Sequence, residues 1–267
     1  MSGGVLERIV AFKKREVSWQ KERISPSLMK ELAAAAPASE GFKKALECQT
    51  GPAIIAEVKR ASPSTGVLRP DLEVPDWSGE DLASASGAGG ARALSVLTDN
   101  RYFWGQKEMI AWCKQAAGLP ALRKDFIVDA YQVDESRWLG ADAILLLART
   151  LEIDVLRACA ERAIELGMDV LVEVHEDLEV QKALKLPEEV LIGVNHRDLS
   201  SLRVDHDRAA KIYSDLPEGR FLVAESGISD STAIKKLYEQ GYQAFLVGTH
   251  LARSPDPTRA LKMLLGQ

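Results

Sequence analysis

Eight short apolar runs recur along this chain, spaced too widely to be joined as hairpins. They begin at Ala53 (AIIAEVK), Ala93 (ALSVL), Ala121 (ALRK), Ala143 (AILLLA), Asp169 (DVLVEV), Val190 (VLIGVN), Phe221 (FLVAES) and Ala244 (AFLVG). Each interval has room for a strand, a helix and two loops. The runs are nearly continuous rather than alternating, which is the pattern of parallel strands covered on both faces. Amphipathic segments lie between them; Glu152–Leu166 places Ile153, Leu156, Ala160 and Ile164 on one side. Three runs follow a glycine and a short polar step, at Gly140, Gly167 and Gly241, where glycine supplies the left-handed turn that ends a helix. Eight strand–helix units predict a closed (β/α)8 barrel, the TIM barrel architecture. The alternative, a doubly wound open sheet, normally carries a glycine-rich phosphate loop after its first strand. Here KRASPSTG follows that strand, and the cluster Gly87-Ala88-Gly89-Gly90 precedes a strand instead of following one.

The first fifty residues break this rhythm. Val5, Ile9, Phe12 and Val17 recur at near-helical spacing, and Ser25-Pro26-Ser27 reads as a stop and a new N-cap before Leu28–Ala36, which Pro37 ends. Residues 1–50 are therefore expected to form a helical extension packed on a barrel spanning 51–267, within one domain. At 267 residues the chain is of ordinary size for one such barrel.

Charge and cysteine content narrow the function. A net charge of −5 argues against a general nucleic-acid binder. No apolar run reaches the roughly 20 residues that span a bilayer, and the start MSGGVLERIVAFKKRE lacks the apolar core of a secretory signal. Cys48, Cys113 and Cys159 are odd in number and far apart, so a reducing cytoplasm is expected rather than a disulfide framework or a zinc site.

In a parallel barrel the chemistry sits where the strands end. The first strand ends with Glu57 and Lys59, two residues apart and so on one face. Later strand ends carry Lys124, Glu173, Asn195 with Arg197, Glu225-Ser226-Gly227 and Gly248-Thr249. Three cations (Lys59, Lys124, Arg197) and three carboxylates (Glu57, Glu173, Glu225) thus converge on one mouth. An ion-pair ring serving only the fold is the simpler account. Six such groups at the strand ends point instead to acid–base chemistry, because buried charges are costly. The small residues after the last two strands suit a phosphate. Phe103, in Tyr102-Phe103-Trp104-Gly105, and Phe126 suit a flat ring. His175, His196, His206 and His250 form no metal-binding spacing, and neither a metal nor a cofactor is expected. His175 and His206 read as surface residues, and His196 and His250 as lying near the mouth. The expected ligand is a phosphorylated small molecule with an apolar ring.

These motifs closely resemble one family. The segments IIAEVKRASPSTG (54–66), ALSVLTD and RYFWG (93–105), LRKDFIVDAYQ (122–132), GADAILLL (140–147), LVEVH (171–175), IGVNHRDL (192–199), VAESGI (223–228) and FLVGTHLARSPDP (245–257) are similar to those of indole-3-glycerol-phosphate synthase, in the same order over almost the whole chain. The N-terminal LERIVAFKKREV resembles that family's extra helical segment. The resemblance implies ring closure of 1-(2-carboxyphenylamino)-1-deoxyribulose 5-phosphate with loss of CO₂ and water, without a cofactor. It implies Lys124 as general acid and Glu173 as general base. Lys59 becomes a second lysine, charge-balanced by Glu57, while Asn195 and Arg197 position the substrate and Glu173. Ser62, Ser226, Gly227, Gly248 and Thr249 would line the phosphate site beside Glu225, with Phe103 and Phe126 against the anthranilate ring. Trp104, His196 and Thr249-His250 depart from the family's pattern. The alternatives are another phosphosugar barrel, such as phosphoribosylanthranilate isomerase, or a non-catalytic binding subunit. The former would require an acid–base Cys at a strand end, and none stands there. A monomer or weak homodimer is expected.

Overall fold

The computed structural model describes residues 4–47, 51–63, 66–74, 76–196, 216 and 219–267. Its centre is a closed barrel of eight parallel strands: β1 (Ala53–Val58), β2 (Ala93–Leu97), β3 (Ala121–Lys124), β4 (Ala143–Leu147), β5 (Asp169–Val174), β6 (Leu191–Asn195), β7 (Leu222–Glu225) and β8 (Ala244–Val247). Each strand pairs with its neighbour in sequence, and β8 closes on β1 with Ala53 opposite Ala244. The helix-ending glycines behave as expected: Gly140, Gly167 and Gly241 have φ of +86°, +73° and +104°.

Alternation along the strands divides the core in two. Outward residues such as Ile54, Ala56, Leu94, Ile144 and Val172 pack under the surrounding helices. Inward residues, among them Ile55, Leu122, Leu145, Leu171, Val223 and Leu246, fill the barrel itself. Every one of these is buried, which accounts for the unbroken apolar runs.

The N-terminal segment forms α1 (Val5–Arg23), α2 (Pro26–Ala35) and α3 (Phe42–Leu46). Ser25 caps α2, its Oγ accepting from the Leu28 amide at 3.3 Å, and Pro26 takes the first-turn position, where its missing N–H costs nothing. Both helices lean on the helix Ala130–Trp138. Tyr131 Oη donates to the Ile24 carbonyl at 3.2 Å, and Val17, Met29, Val128 and Tyr131 form a small apolar cluster. Residues 131–137 of that helix are all buried, charged ones included. α3 belongs to the barrel interior: Phe42 and Leu46 are buried against Ala53, Ala93 and Leu191 at the N-terminal ends of the strands and plug that end. The Lys43 amide donates to Asp169 at 2.8 Å and the Glu40 amide to Asp142 at 2.8 Å, which fixes the plug. Among the described residues, no helix is long and apolar enough to cross a membrane.

Candidate active site

Glu57, Lys124, Glu173 and Glu225 stand on β1, β3, β5 and β7, the odd-numbered strands. In an eight-stranded barrel, inward side chains of alternate strands share a layer. Two residues earlier on the same strands lie Ile55, Leu122, Leu171 and Val223, an apolar layer. The charged layer above it therefore rests on a dry floor. Lys124 Nζ lies 3.3 Å from Glu225 Oε2 and 3.6 Å from Glu173 Oε2. Lys59 pairs with Glu57 and donates to Thr249 Oγ1 at 3.4 Å. Asn195 Nδ2 donates to Glu173 Oε1 at 3.0 Å.

Two glycines make room for these carboxylates. A methyl group on Gly193 of β6 would strike the Glu225 carboxylate, and one on Gly248 would strike that of Glu57. Gly248 was expected only as part of a phosphate loop. It also serves as the space into which Glu57 fits.

Charge balance gives each group its state. Burial pushes the Glu57 carboxyl up, but Lys59 and Lys124 outweigh it and hold the group below the usual carboxylate range. Burial likewise opposes charge on Lys124, and the carboxylates of Glu225, Glu173 and Glu57 more than compensate, so its ammonium is held more tightly than usual. Glu173 is kept low against burial by Lys124, His175 and Asn195. Glu225 goes the other way: burial and the neighbouring Glu173 push it up to about 8. Near neutrality the layer thus contains an ionised Glu173 and a protonated Glu225 beside one lysine, an arrangement suited to acid–base work.

The rim carries the remaining expected residues. Ser226 and Gly227 take left-handed φ of +68° and +74°, turning the chain sharply after β7. Gly248 precedes the short helix Thr249–Arg253. Ser62 lies in a two-stranded hairpin, Ala61–Ser62 with Gly66–Val67, directly after β1. Phe103, in the helix Asn100–Phe103, and Phe126 are half-buried, with ring centroids 6.1 Å apart. Trp104 stacks under Arg60, whose guanidinium carbon is 5.5 Å from the ring centroid. Arg197 and His206 lie outside the described residues.

Two groups of residues escaped the sequence reading. Lys13 of α1 is buried and pairs with Asp99, Asp125 and Glu16 at 2.9, 2.9 and 3.0 Å. Asp99 Oδ1 accepts from the Tyr102 amide at 2.7 Å, and Asp125 Oδ1 from the Phe126 amide at 2.8 Å. Asp125 also pairs with the outward-facing Arg123 at 3.0 Å. One buried lysine thus anchors the two acids that set the Phe103 and Phe126 segments. The second group corrects an expectation. His175 is not a surface residue: it is 4% exposed, with Glu173 and Glu179 on either side of its ring. It stands two residues after Glu173 and so shares its face, and the helix Asp177–Ala183 brings Glu179 over it. His196, expected near the mouth, is buried behind it, its ring 5.8 Å from that of Tyr242.

The family model for indole-3-glycerol phosphate synthase matches residues 6–264. The chain belongs to the indole-3-glycerol phosphate synthase family. Relatives of that name include one from Polaromonas sp. strain JS666, 41% identical over 265 residues, covering 98% of both chains. Another, from Acinetobacter baumannii, is 40% identical over 263 residues, covering 98% of this chain and 96% of the relative. Solved structures of similar fold include 3-hexulose-6-phosphate synthase from Salmonella typhimurium, with a TM-score of 0.61 at 14% identity over 80% of this chain and 99% of that one. Thiamine phosphate pyrophosphorylase from Pyrococcus furiosus gives 0.56 at 17% identity, over 80% of this chain and 94% of that one. At such low identity these two speak for the barrel alone.

Proposed function

We propose that this chain closes the indole ring of 1-(2-carboxyphenylamino)-1-deoxyribulose 5-phosphate, releasing CO₂ and water, with Lys124 and Glu173 as its acid and base. Membership of the family supports the overall reaction, that of a carboxy-lyase acting on a phosphorylated small molecule. The observation that carries the residue assignment is the Lys124 ammonium lying between the carboxyls of Glu173 and Glu225 on an apolar floor.

The steps follow from the chemistry. The aromatic carbon bearing the carboxylate attacks the ketone carbon of the open-chain sugar, forming a C–C bond. The ketone oxygen must take a proton as it becomes a hydroxyl, and Lys124 supplies it. Loss of CO₂ leaves its electron pair in the ring and restores aromaticity. The hydroxyl then departs as water while a proton leaves the new five-membered ring, and Glu173, held ionised, accepts it. Lys59 is assigned to the carboxylate or phosphate side, with protonation of the departing hydroxyl as its second assigned task. Glu57 orients Lys59, and Asn195 holds the Glu173 carboxylate, with Arg197 assigned to the same task.

Phosphate binding is assigned to Ser62, Ser226, Gly227, Gly248 and Thr249, with Glu225 closing the inner side. The left-handed turn at Ser226-Gly227 and the first amides of the short helix Thr249–Arg253 support this, since amides at a helix start have no acceptor within the helix. Phe103 and Phe126 flank the anthranilate ring. Holding a flexible substrate curled for attack contributes a large share of the rate. We place the protein in the cytoplasm, where the buried free thiols of Cys113 and Cys159 stay reduced.

The test is fluorimetric. Purified protein is mixed with the carboxyphenylamino-deoxyribulose phosphate in EDTA, and indole emission is followed. Saturable growth of the signal is expected. Binding of the ligand without emission overturns the catalytic reading in favour of a binding subunit.

A further inference from the structure

His175 has a role that the mechanism above leaves unassigned. Its ring is enclosed between two carboxylates. Nε2 lies 3.4 Å from Glu173 Oε1, and Nδ1 lies 3.4 Å from Glu179 Oε2. Glu179 is itself buried and is held in place by the His175 backbone amide, which donates to its Oε2 at 2.6 Å. A neutral imidazole has one N–H and one lone pair. Placed between two carboxylates, it would turn that lone pair toward a negative oxygen. Only the doubly protonated ring carries a positive charge to pair with both, and the two contacts are ion-pair contacts rather than aligned hydrogen bonds.

Glu173 needs such a partner. It is buried, and burial opposes its charge; Lys124, His175 and hydrogen bonds with Asn195 and Glu225 are what hold it ionised. Lys124 of β3 is shared between Glu173 and Glu225. Among the described residues, the charged groups acting on His175 are Glu173 on its own strand, Glu179 on the following helix and Glu225 on β7. Burial pulls the imidazole down, and these three carboxylates together raise it.

We propose that His175 is a positioning residue, an imidazolium fixed between Glu179 and Glu173 that keeps Glu173 ionised and facing Lys124 and Asn195. This rests on the reading of Glu173 as the base. His175 touches no reacting atom and transfers no proton; already doubly protonated, it acts by charge and by direction. Glu179 is the counter-ion that keeps the ring charged.

The test combines pH profiles with a spectroscopic readout. Removing the cation beside Glu173 makes its carboxylate easier to protonate, so the acid limb of kcat moves to higher pH. For His175→Phe the expected result is a limb shifted upward by about one unit or more, with kcat near pH 7 down by about tenfold and KM changed less than threefold. Glu179→Gln shifts the limb the same way by less. An unshifted limb in a folded, active His175→Phe overturns the inference. So does a neutral His175 ring at pH 7 in the wild-type protein, read from ¹⁵N shifts of labelled histidine and assigned against His175→Gln. That spectrum decides the matter even if His175→Phe does not fold. Failure of the base assignment shows differently: Glu173→Gln would then turn over normally, whatever the state of His175.

Discussion

Lys13, on the first helix, places its Nζ 2.9 Å from the carboxylate of Asp125, the residue that follows Lys124. The same nitrogen reaches Asp99 at 2.9 Å. Removing a single partner from a buried ion pair leaves an uncompensated charge and costs roughly 3–5 kcal/mol. Lys13→Met is expected to lower stability by about that much at pH 7, measured by urea unfolding. Asp125 is held low by Arg123 and Lys13 against burial, so its contribution is present above the ordinary carboxylate range and is lost as pH falls through the depressed folded value. The variant's deficit should therefore be full at pH 7 and shrink only as pH falls below the ordinary carboxylate range toward the depressed value of Asp125. KM should rise as well, because Asp99 and Asp125 set the Phe103 and Phe126 segments. A Lys13→Met protein with wild-type stability at pH 7 would sink this account.

Lys124→Ala and Glu173→Gln are each expected to lower kcat by at least about 100-fold, the scale of a lost general acid or base. Lys59→Ala should damage both kcat and KM. Steady-state kinetics in the indole assay separate the cases. Near-normal turnover removes Lys124 or Glu173 from its role, and an effect of Lys59→Ala on KM alone makes it a binding group.

Glu225 is pushed up to about 8 by burial and Glu173, so it is protonated below that pH and ionises above it. Once ionised it competes with Glu173 for Lys124. The alkaline limb of kcat should therefore fall near pH 8 in the wild type, and Glu225→Gln should lack that limb while still turning over at pH 7. An unchanged limb in Glu225→Gln would assign it to another group.

Gly193→Ala and Gly248→Ala each drive a methyl into a carboxylate, of Glu225 and Glu57 respectively. Overpacking of this kind typically costs about 1–3 kcal/mol. A modest fall in melting temperature is expected together with a loss of at least about tenfold in kcat, since the displaced carboxyls belong to the charged layer. Full activity in either variant would show that the layer tolerates rearrangement.

Much of this architecture can be read from the residues. Eight apolar runs begin within a residue of the eight strands, because a strand buried on both faces has no polar positions to blur its ends. The two-residue period puts Glu57 beside Lys59; the nearness of Asn195 to Glu173 is implied by the family resemblance and not by the period. The same period, extended one step past Glu173, puts His175 on the inner face, and that signal was available. What hid it was Glu179, which arrives from the next helix and makes burial of the ring tolerable. Lys13 was hidden for a deeper reason. A lysine amid Lys14, Arg15 and Glu16 looks like a solvated helix face, and nothing local distinguishes the one that meets Asp99 and Asp125 far along the chain. The helix Ala130–Trp138 is obscured in the same way: Asp134 pairs with Arg162, Glu135 with Lys107 and Arg123, and Arg137 donates to the Ala36 carbonyl, so charges that a hydrophobic pattern would assign to solvent are buried. The space supplied by Gly193 and Gly248 is set by neighbouring strands and has no local signature.

The docking of α1 also sets an order of events during synthesis. This helix is made before the barrel, and its partners follow much later; Lys21 and Asp129, paired at 2.7 Å, are 108 residues apart. Until the loops after β2 and β3 exist, Lys13 has neither Asp99 nor Asp125 to neutralise, and its ammonium must stay in water. Seating this helix is therefore a late, long-range step that waits for the strands whose loops it braces.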